Sequence, residues 1–433
     1  MSLGLHTQCR DRLTTVIAEQ LPNIALKNRM FLERSSAIGL LLAEPILPQT
    51  GPVKNSLDLY IGEAPIFTFA LETLARELYE NQKYDAQTPS MKLINLNEYQ
   101  DSASVAKRLV HDFESLPWKY TLTIKLDNDF AKLFGQAVKE YRISDSLKLV
   151  TPDDSFAERF PLQSGIKERD HSLSGGLLLG FESRTWDKNT TYFQANATGF
   201  ISMYGGTTPF EDTISLFKSF CGISIALRLF KATVTHRAFP SKANCFVHRN
   251  VDNAWVIESR HEMEAILSDA LQDLTLHDLE GRLDTDSKKT EWIKSVLPRI
   301  RCVFSNQEKA RKLILGGQWL FESCCGKDEL LSFVQAAVVM EILLGEKTVS
   351  DLMGLGELLR NRCAYLIGRS HKEREETLSD FEEIYDVRSK IVHSGKSRLN
   401  MHERSLLSKL QWMCRRVIQE EVTRLEEDEK EEK

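Results

Sequence analysis

Residues 374–395 read REETLSDFEEIYDVRSKIVHSG. Phe381, Ile384, Tyr385, Ile391 and Val392 recur at the spacing of one face of an α-helix, and Gly395 is a good terminator. A helix is therefore expected over Arg374–His393. At about 100° per residue, Arg388 falls in the middle of that apolar stripe. A cation placed there is penalised unless something satisfies it. His393 lies about 140° further round the helix, in the last turn, where the dipole favours a protonated imidazole. Ser389, Lys390, Lys396 and Arg398 add donors and positive charge nearby.

The neighbouring text repeats the helical pattern. Glu308–Ser323 is a helix candidate, broken at Cys324-Cys325-Gly326. Asp328–Leu344 is strongly apolar and ends at Gly345. Thr348–Leu366 carries Leu355, Leu358, Leu359, Cys363 and Leu366 on one face and ends near Gly368, and Glu403–Leu425 runs into an acidic tail. Four or five helices with short loops over about 120 residues predict an all-α bundle from about residue 301 to the end.

Upstream the text is mixed. Asp101–Leu116 and Phe130–Tyr141 read as helices. Tyr120–Leu126 (YTLTIKL) and Ser146–Val150 read as strands, and Pro48–Lys54 as a loop. Thr151–Phe160 is expected to be a boundary. Gly176–Phe181 and Thr191–Tyr204 have strand character, with a turn at Gly205-Gly206. Pro209–Phe230 and His261–Leu274 read as helices, and Asn244–His248 and Ala254–Ile257 as strands. The expected architecture is an α+β lobe over 1–155, an α+β lobe over 156–300, and the bundle over 301–433.

Composition limits what such a chain can do. Its 433 residues include 56 Lys+Arg and 62 Asp+Glu, a formal net charge of −6, with 42% hydrophobic and 27% charged residues. Those proportions belong to a folded chain of roughly two to four domains, not to a disordered or collagen-like one. They also exclude a strongly basic protein that coats nucleic acid by bulk charge. Glu420–Lys433 alone carries −5, leaving the body almost neutral. The eight cysteines form no CxxC pair. With no signal stretch at the N-terminus, free thiols and a cytoplasmic location are expected. The longest apolar runs, Gly175–Gly180 and Ala336–Leu344, fall short of the roughly 20 residues a membrane span needs.

The chemistry of the Arg388–His393 pair points to RNA. A guanidinium is a fixed cation with a planar fork suited to phosphate, and an imidazole titrates near neutral pH and moves protons. Together they can cleave RNA without a metal or other cofactor. His deprotonates a ribose 2′-OH or protonates the leaving oxygen, while Arg neutralises the scissile phosphate. Because the two side chains diverge, one helix makes a poor closed site. Two such helices meeting across a two-fold axis can build a shared cleft. The plainer alternative is that Arg388 is a structural ion pair, with Glu341 or Glu357 as partner, and that His393 merely caps a helix.

RSKIVH over Arg388–His393 matches the R-x4-H motif of HEPN ribonucleases. The wider text resembles the ApeA-like HEPN domains of bacterial anti-phage abortive-infection proteins. The matching segments are AVVMEILLGE (Ala337–Glu346), ELLRNRCAYLIG (Glu357–Gly368) and IYDVRSKIVHSG (Ile384–Gly395), within about Leu313–Gln419. The resemblance implies an all-α HEPN bundle that dimerises and a metal-independent endoribonuclease that acts in defence by shutting down translation; tRNA or another structured RNA whose loop fits a narrow cleft is the expected target. Arg388 and His393 would be the catalytic pair. Ser389 would be the polar neighbour, with Glu341, Tyr385 and Arg362 as supporting positions and Lys390, Lys396 and Arg398 as RNA-binding cations. Residues 1–300 would sense a phage-derived protein trigger or restrain the effector. One departure is that Ser394 intervenes between His393 and Gly395, where the family pattern puts Gly directly. Two other functions fit the same text. One is a non-catalytic HEPN dimerisation scaffold holding a protein or nucleic-acid partner, and the other is a toxin silenced by a separate antitoxin.

Other signals are weak. Cys245-x2-His248 has metal-ligand spacing but no second pair at zinc-finger distance. His261-Glu262 begins HExxH, but position 265 is Ala. Ser174-Gly175-Gly176 and Gly205-Gly206 lack a following GK[ST] and read as turns. Trp186, Tyr192, Phe193, Phe200 and Tyr204 have base-stacking chemistry, but at strand spacing they are expected in the core.

Overall fold

The computed structural model describes residues 3–126, 129–163, 185–203, 205–233, 241–346 and 354–431. The strand expected at Gly176–Phe181, the turn at Ser174–Gly176, Tyr204 and the first residues of the helix expected from Thr348 lie outside them.

A first core gathers the N-terminal elements. Helices α1 (Thr7–Gln20), α2 (Pro52–Tyr60), α3 (Pro65–Asn81) and α4 (Ser102–Glu114) surround the three-stranded sheet β1 (Ala25–Lys27), β2 (Phe31–Leu32) and β3 (Ser90–Lys92), and bury Leu13, Ile17, Phe69, Leu74 and Phe113. Two starts are legible in the text. Asp101 caps α4 by accepting from the amides of Ala103 and Ser104, and Pro52 occupies the first turn of α2, so the expected loop ends there.

The central element is a six-stranded antiparallel sheet. Its strands are β4 (Trp118–Leu126), β5 (Glu140–Arg142), β6 (Leu147–Val150), β7 (Thr191–Gly199), β9 (Asn244–Val251) and β10 (Ala254–Glu262), in the order β10-β9-β4-β7-β6-β5. On one face of β4, Tyr120, Leu122, Ile124 and Leu126 enter a large core. On the other, Thr121 donates to Asn196 at 3.1 Å and Gln194 donates to Thr123 at 3.1 Å. That second face is covered by α6 (Asp154–Arg159) with Phe160, Leu162 and Trp186. Phe130–Tyr141 divides between α5 (Asp129–Ala137) and β5. The helix expected over His261–Leu274 shortens to α8 (Ala265–Asp273), because residues 261–262 still pair in β10 and Leu274 pairs in β11 (Leu274–Leu276) with β8 (Phe230–Ala232).

Helix α7 (Thr208–Ala226) links the sheet to the C-terminal helices. It is apolar nearly all round, as a helix buried on several sides should be. Phe217 meets Phe193 of β7 at 4.7 Å. On another side, Gly222 touches the backbone of α10 (Arg311–Cys325) so closely that an added Cβ would lie 1.8 Å from the Gly317 carbonyl oxygen. The helical region continues with α9 (Asp286–Ser305), α11 (Glu329–Leu344), α12 (Leu355–Ile367), α13 (His371–Ser394) and α14 (Met401–Glu431). Leu406, Leu410, Met413, Val417 and Leu425 of α14 run into the same core as β4 and α7.

The cores therefore do not divide near residues 155 and 300, where boundaries were expected. Strands from both sides of Thr151–Phe160 hydrogen-bond in one sheet, and α9 runs through residue 301. Composition does not reveal this, because strand pairing and helix crossing join residues distant in sequence. One face of the central sheet and the C-terminal helical region share one hydrophobic interior.

Candidate functional site

Helix α13 begins with Ser370 accepting from the Glu373 amide and ends with Gly395 in the left-handed conformation (φ 64°). Its buried residues are Thr377, Phe381, Ile384 and Val387. Their mean direction is roughly 35° away from Arg388 at 100° per residue. Arg388 thus sits on the shoulder of the buried face and not at its centre as the stripe predicted. Val387 goes inward, while Val392 of the predicted stripe is 47% exposed.

The shoulder holds a compact polar cluster. Arg388 Nη2 donates to Glu341 Oε1 of α11 at 3.1 Å, and the Tyr385 hydroxyl donates to the same oxygen at 3.3 Å. The Arg388 guanidinium lies 5.9 Å from the centre of the Tyr385 ring, which stacks on Phe381 at 5.8 Å. Burial first, and then the Glu341 carboxylate, push the Tyr385 phenol up to about 12, so it stays a donor at any physiological pH. Gly356 of α12 makes room for that ring, since an added Cβ would lie 3.2 Å from two of its carbons. Gly356 carried no signal in the sequence, because the close approach depends on which helix packs beside it. The ion pair is half-buried, with side-chain exposures of 25% for Arg388 and 23% for Glu341. Arg388 Nε is buried and has no partner.

His393 is elsewhere. It points almost opposite to the buried side of α13, is exposed, and its side chain makes no hydrogen bond or ion pair among the described residues. Ser389, one turn before it on the same outward face, and Arg398 in the following loop are also exposed and unpartnered. Within one chain, Arg388 and His393 are separated by about 140° around the helix and about 7.5 Å along its axis.

The remaining candidates brace the scaffold. Arg362 of α12 donates to the Leu344 carbonyl at 2.9 Å and pairs with Glu346, capping α11. Lys390 pairs with Asp386 at 2.6 Å along α13. Lys396 pairs with Glu403 at 2.8 Å, and Glu403 also accepts from the Asn400 amide at the start of α14, which fixes the α13–α14 turn. Glu357, the alternative partner for Arg388, makes no such bond.

The weaker candidates resolve into structure. Cys245 enters the large core, and His248 lies on the opposite face of the sheet with Nε2 3.0 Å from the Pro161 carbonyl. Residues three apart on a strand point to opposite faces, so their metal spacing is not realised. Trp186 and Tyr192 fill the small cluster, Phe193 the large core and Phe200 the first core. Gly205 and Gly206 both have positive φ, in the turn before α7. No group of three or more potential metal ligands occurs among the described residues, and no helix there is long and apolar enough to cross a membrane. Comparison of the chain with family models, with curated proteins and with solved structures gives no match.

Proposed function

We propose that this protein is a metal-independent endoribonuclease of the HEPN type, cleaving tRNA or another structured RNA in anti-phage abortive infection, with residues 1–300 as sensor and regulator. The observation that carries the reading is the state of Arg388. Glu341 engages one end of its fork and Tyr385 lies beside it, yet the pair is only half-buried and a quarter of the Arg388 side chain stays exposed. A guanidinium preorganised in this way can accept a phosphate without losing its position.

The chemistry needs two copies. One imidazole takes the proton of a ribose 2′-OH as that oxygen attacks phosphorus. The P–O5′ bond breaks, and the leaving oxygen takes a proton from a second imidazole. The products are a 2′,3′-cyclic phosphate and a 5′-hydroxyl. The outward direction of His393, away from its own chain's core, is the direction in which a second copy would approach, so a homodimer through the helical region is part of the proposal.

The test is incubation of total RNA with the protein in EDTA, followed by mapping of 3′ ends. Fragments with cyclic-phosphate ends are expected from wild type and not from His393→Ala. Identical fragment patterns from the two proteins would remove the catalytic assignment. The second reading, a non-catalytic scaffold, draws on the same ion pair, since Glu341 already compensates the charge of Arg388. It requires that no cyclic-phosphate ends form at all.

A further inference from the structure

The β9–β10 hairpin closes on Asp252 and Asn253, both at positive φ (50° and 67°), as a tight turn between twisted strands requires. Beside this turn, α6 brings Glu158 and Arg159 toward Lys119 at the start of β4. Together with Asn250, Asn253 and Trp255 they line an open groove of about 470 Å³. The groove lies on the face of the sheet that α6 covers and shares no residue with the Arg388 cluster.

The groove lining is chemically unsatisfied. Lys119, Glu158, Arg159 and Asn253 are exposed, and neither they nor Asn250 use their side chains in a hydrogen bond or ion pair among the described residues. Arg159 rests only over the Phe160 ring, at 5.3 Å. Trp255 is half-buried and braced against Phe160 with ring centres 5.5 Å apart. The lining therefore combines a supported aromatic, two cations without an ion-pair partner among the described residues, two amides and one carboxylate.

We propose that this groove binds a nucleotide unit. A planar base stacks on Trp255, and the Asn250 and Asn253 amides and the Glu158 carboxylate meet its polar edge. Lys119 and Arg159 hold the phosphate. The unit is either a free nucleotide or one residue of a single RNA strand. This site does not depend on the Arg388–His393 reading, because it requires no cleavage.

The experiment uses the full-length protein carrying His393→Ala, so that no strand is cut whichever way the nuclease reading falls. Calorimetric titration with AMP and with a short oligoadenylate RNA is expected to show binding of at least one. Lys119→Glu and Arg159→Glu, both on exposed positions that leave the core untouched, should each weaken it about tenfold or more. Binding of AMP assigns the site to a free nucleotide, and binding of the oligonucleotide alone assigns it to a strand. Failure of both probes to bind, or binding unaffected by both charge reversals, overturns the proposal.

Discussion

Among the arginine–glutamate pairs that join distant segments of this chain, two are used differently. At the junction of the first core and the sheet, Arg76 of α3 pairs with Glu258 and donates to the Ile201 carbonyl at 3.2 Å. Arg249 donates to the other Glu258 oxygen at 2.7 Å and lies 4.3 Å from the centre of the Trp118 ring. Glu258 sits where the β9–β10 register shifts, so a bulge aims it at both arginines. Side-chain exposures there are 11% for Arg76 and 4% for Glu258. The Arg388–Glu341 pair has the same chemistry, but it is half-open and engages one end of the guanidinium. Burial and the number of committed donors, not residue type, separate a charge pair that locks two layers from one with capacity left for a ligand.

Unpairing each arginine should separate the two sites by the widest margin. Arg76→Met leaves Glu258 buried with Arg249 as its remaining partner, and stability should fall by about 3 kcal/mol. Arg388→Met leaves Glu341 where water reaches it, and the loss should be about 1 kcal/mol or less. Urea denaturation of both variants checks this. Equal losses would mean that the Arg388 pair is as structural as the other.

Acid sharpens the contrast next. Burial, and then Arg76, lower His261 to about 4, and burial does the same for His248. Both rings are neutral in the folded protein and charge more readily when unfolded, at about 6.5. The folded form is therefore fully favoured above pH 6.5 and loses stability as pH falls from about 6.5 to 4, by up to about 3 kcal/mol per histidine. Denaturation midpoints measured across that window should drop, and His261→Gln should flatten the profile. A profile that is flat in wild type would contradict the buried, neutral state of these rings.

The local features were legible in the sequence, and the long-range ones were not. Asp101 before α4, Gly395 after α13 and the alternation of β4 each follow from a few adjacent residues. Glu341 was one of two partners offered for Arg388, beside Glu357, and only the packing of α11 against α13 decides between them. The offset of Arg388 from the centre of the buried face was missed, since the sequence shows which residues are apolar but not which neighbour they meet. Val387 packs inward while Val392 stays out. The Arg76–Glu258–Arg249 cluster was invisible, because it depends on a bulge and on residues 182 positions apart. The shared interior was hidden for the same reason, since nothing in the text of α7 announces that Gly222 will meet Gly317.

The smallest expected change in stability separates fold from function most cleanly. Arg388→Lys keeps a cation within reach of Glu341 and removes the buried Nε that has no partner. Folding stability should therefore hold within about 0.5 kcal/mol or rise slightly. An ammonium is a point charge, however, and it lacks the planar fork that meets Glu341 and a phosphate at once. Under the ribonuclease reading, cleavage by this variant should fall about tenfold or more while its thermal midpoint stays with wild type. Undiminished cleavage would show that charge alone suffices at this position, and the preorganised fork would lose its place in the mechanism.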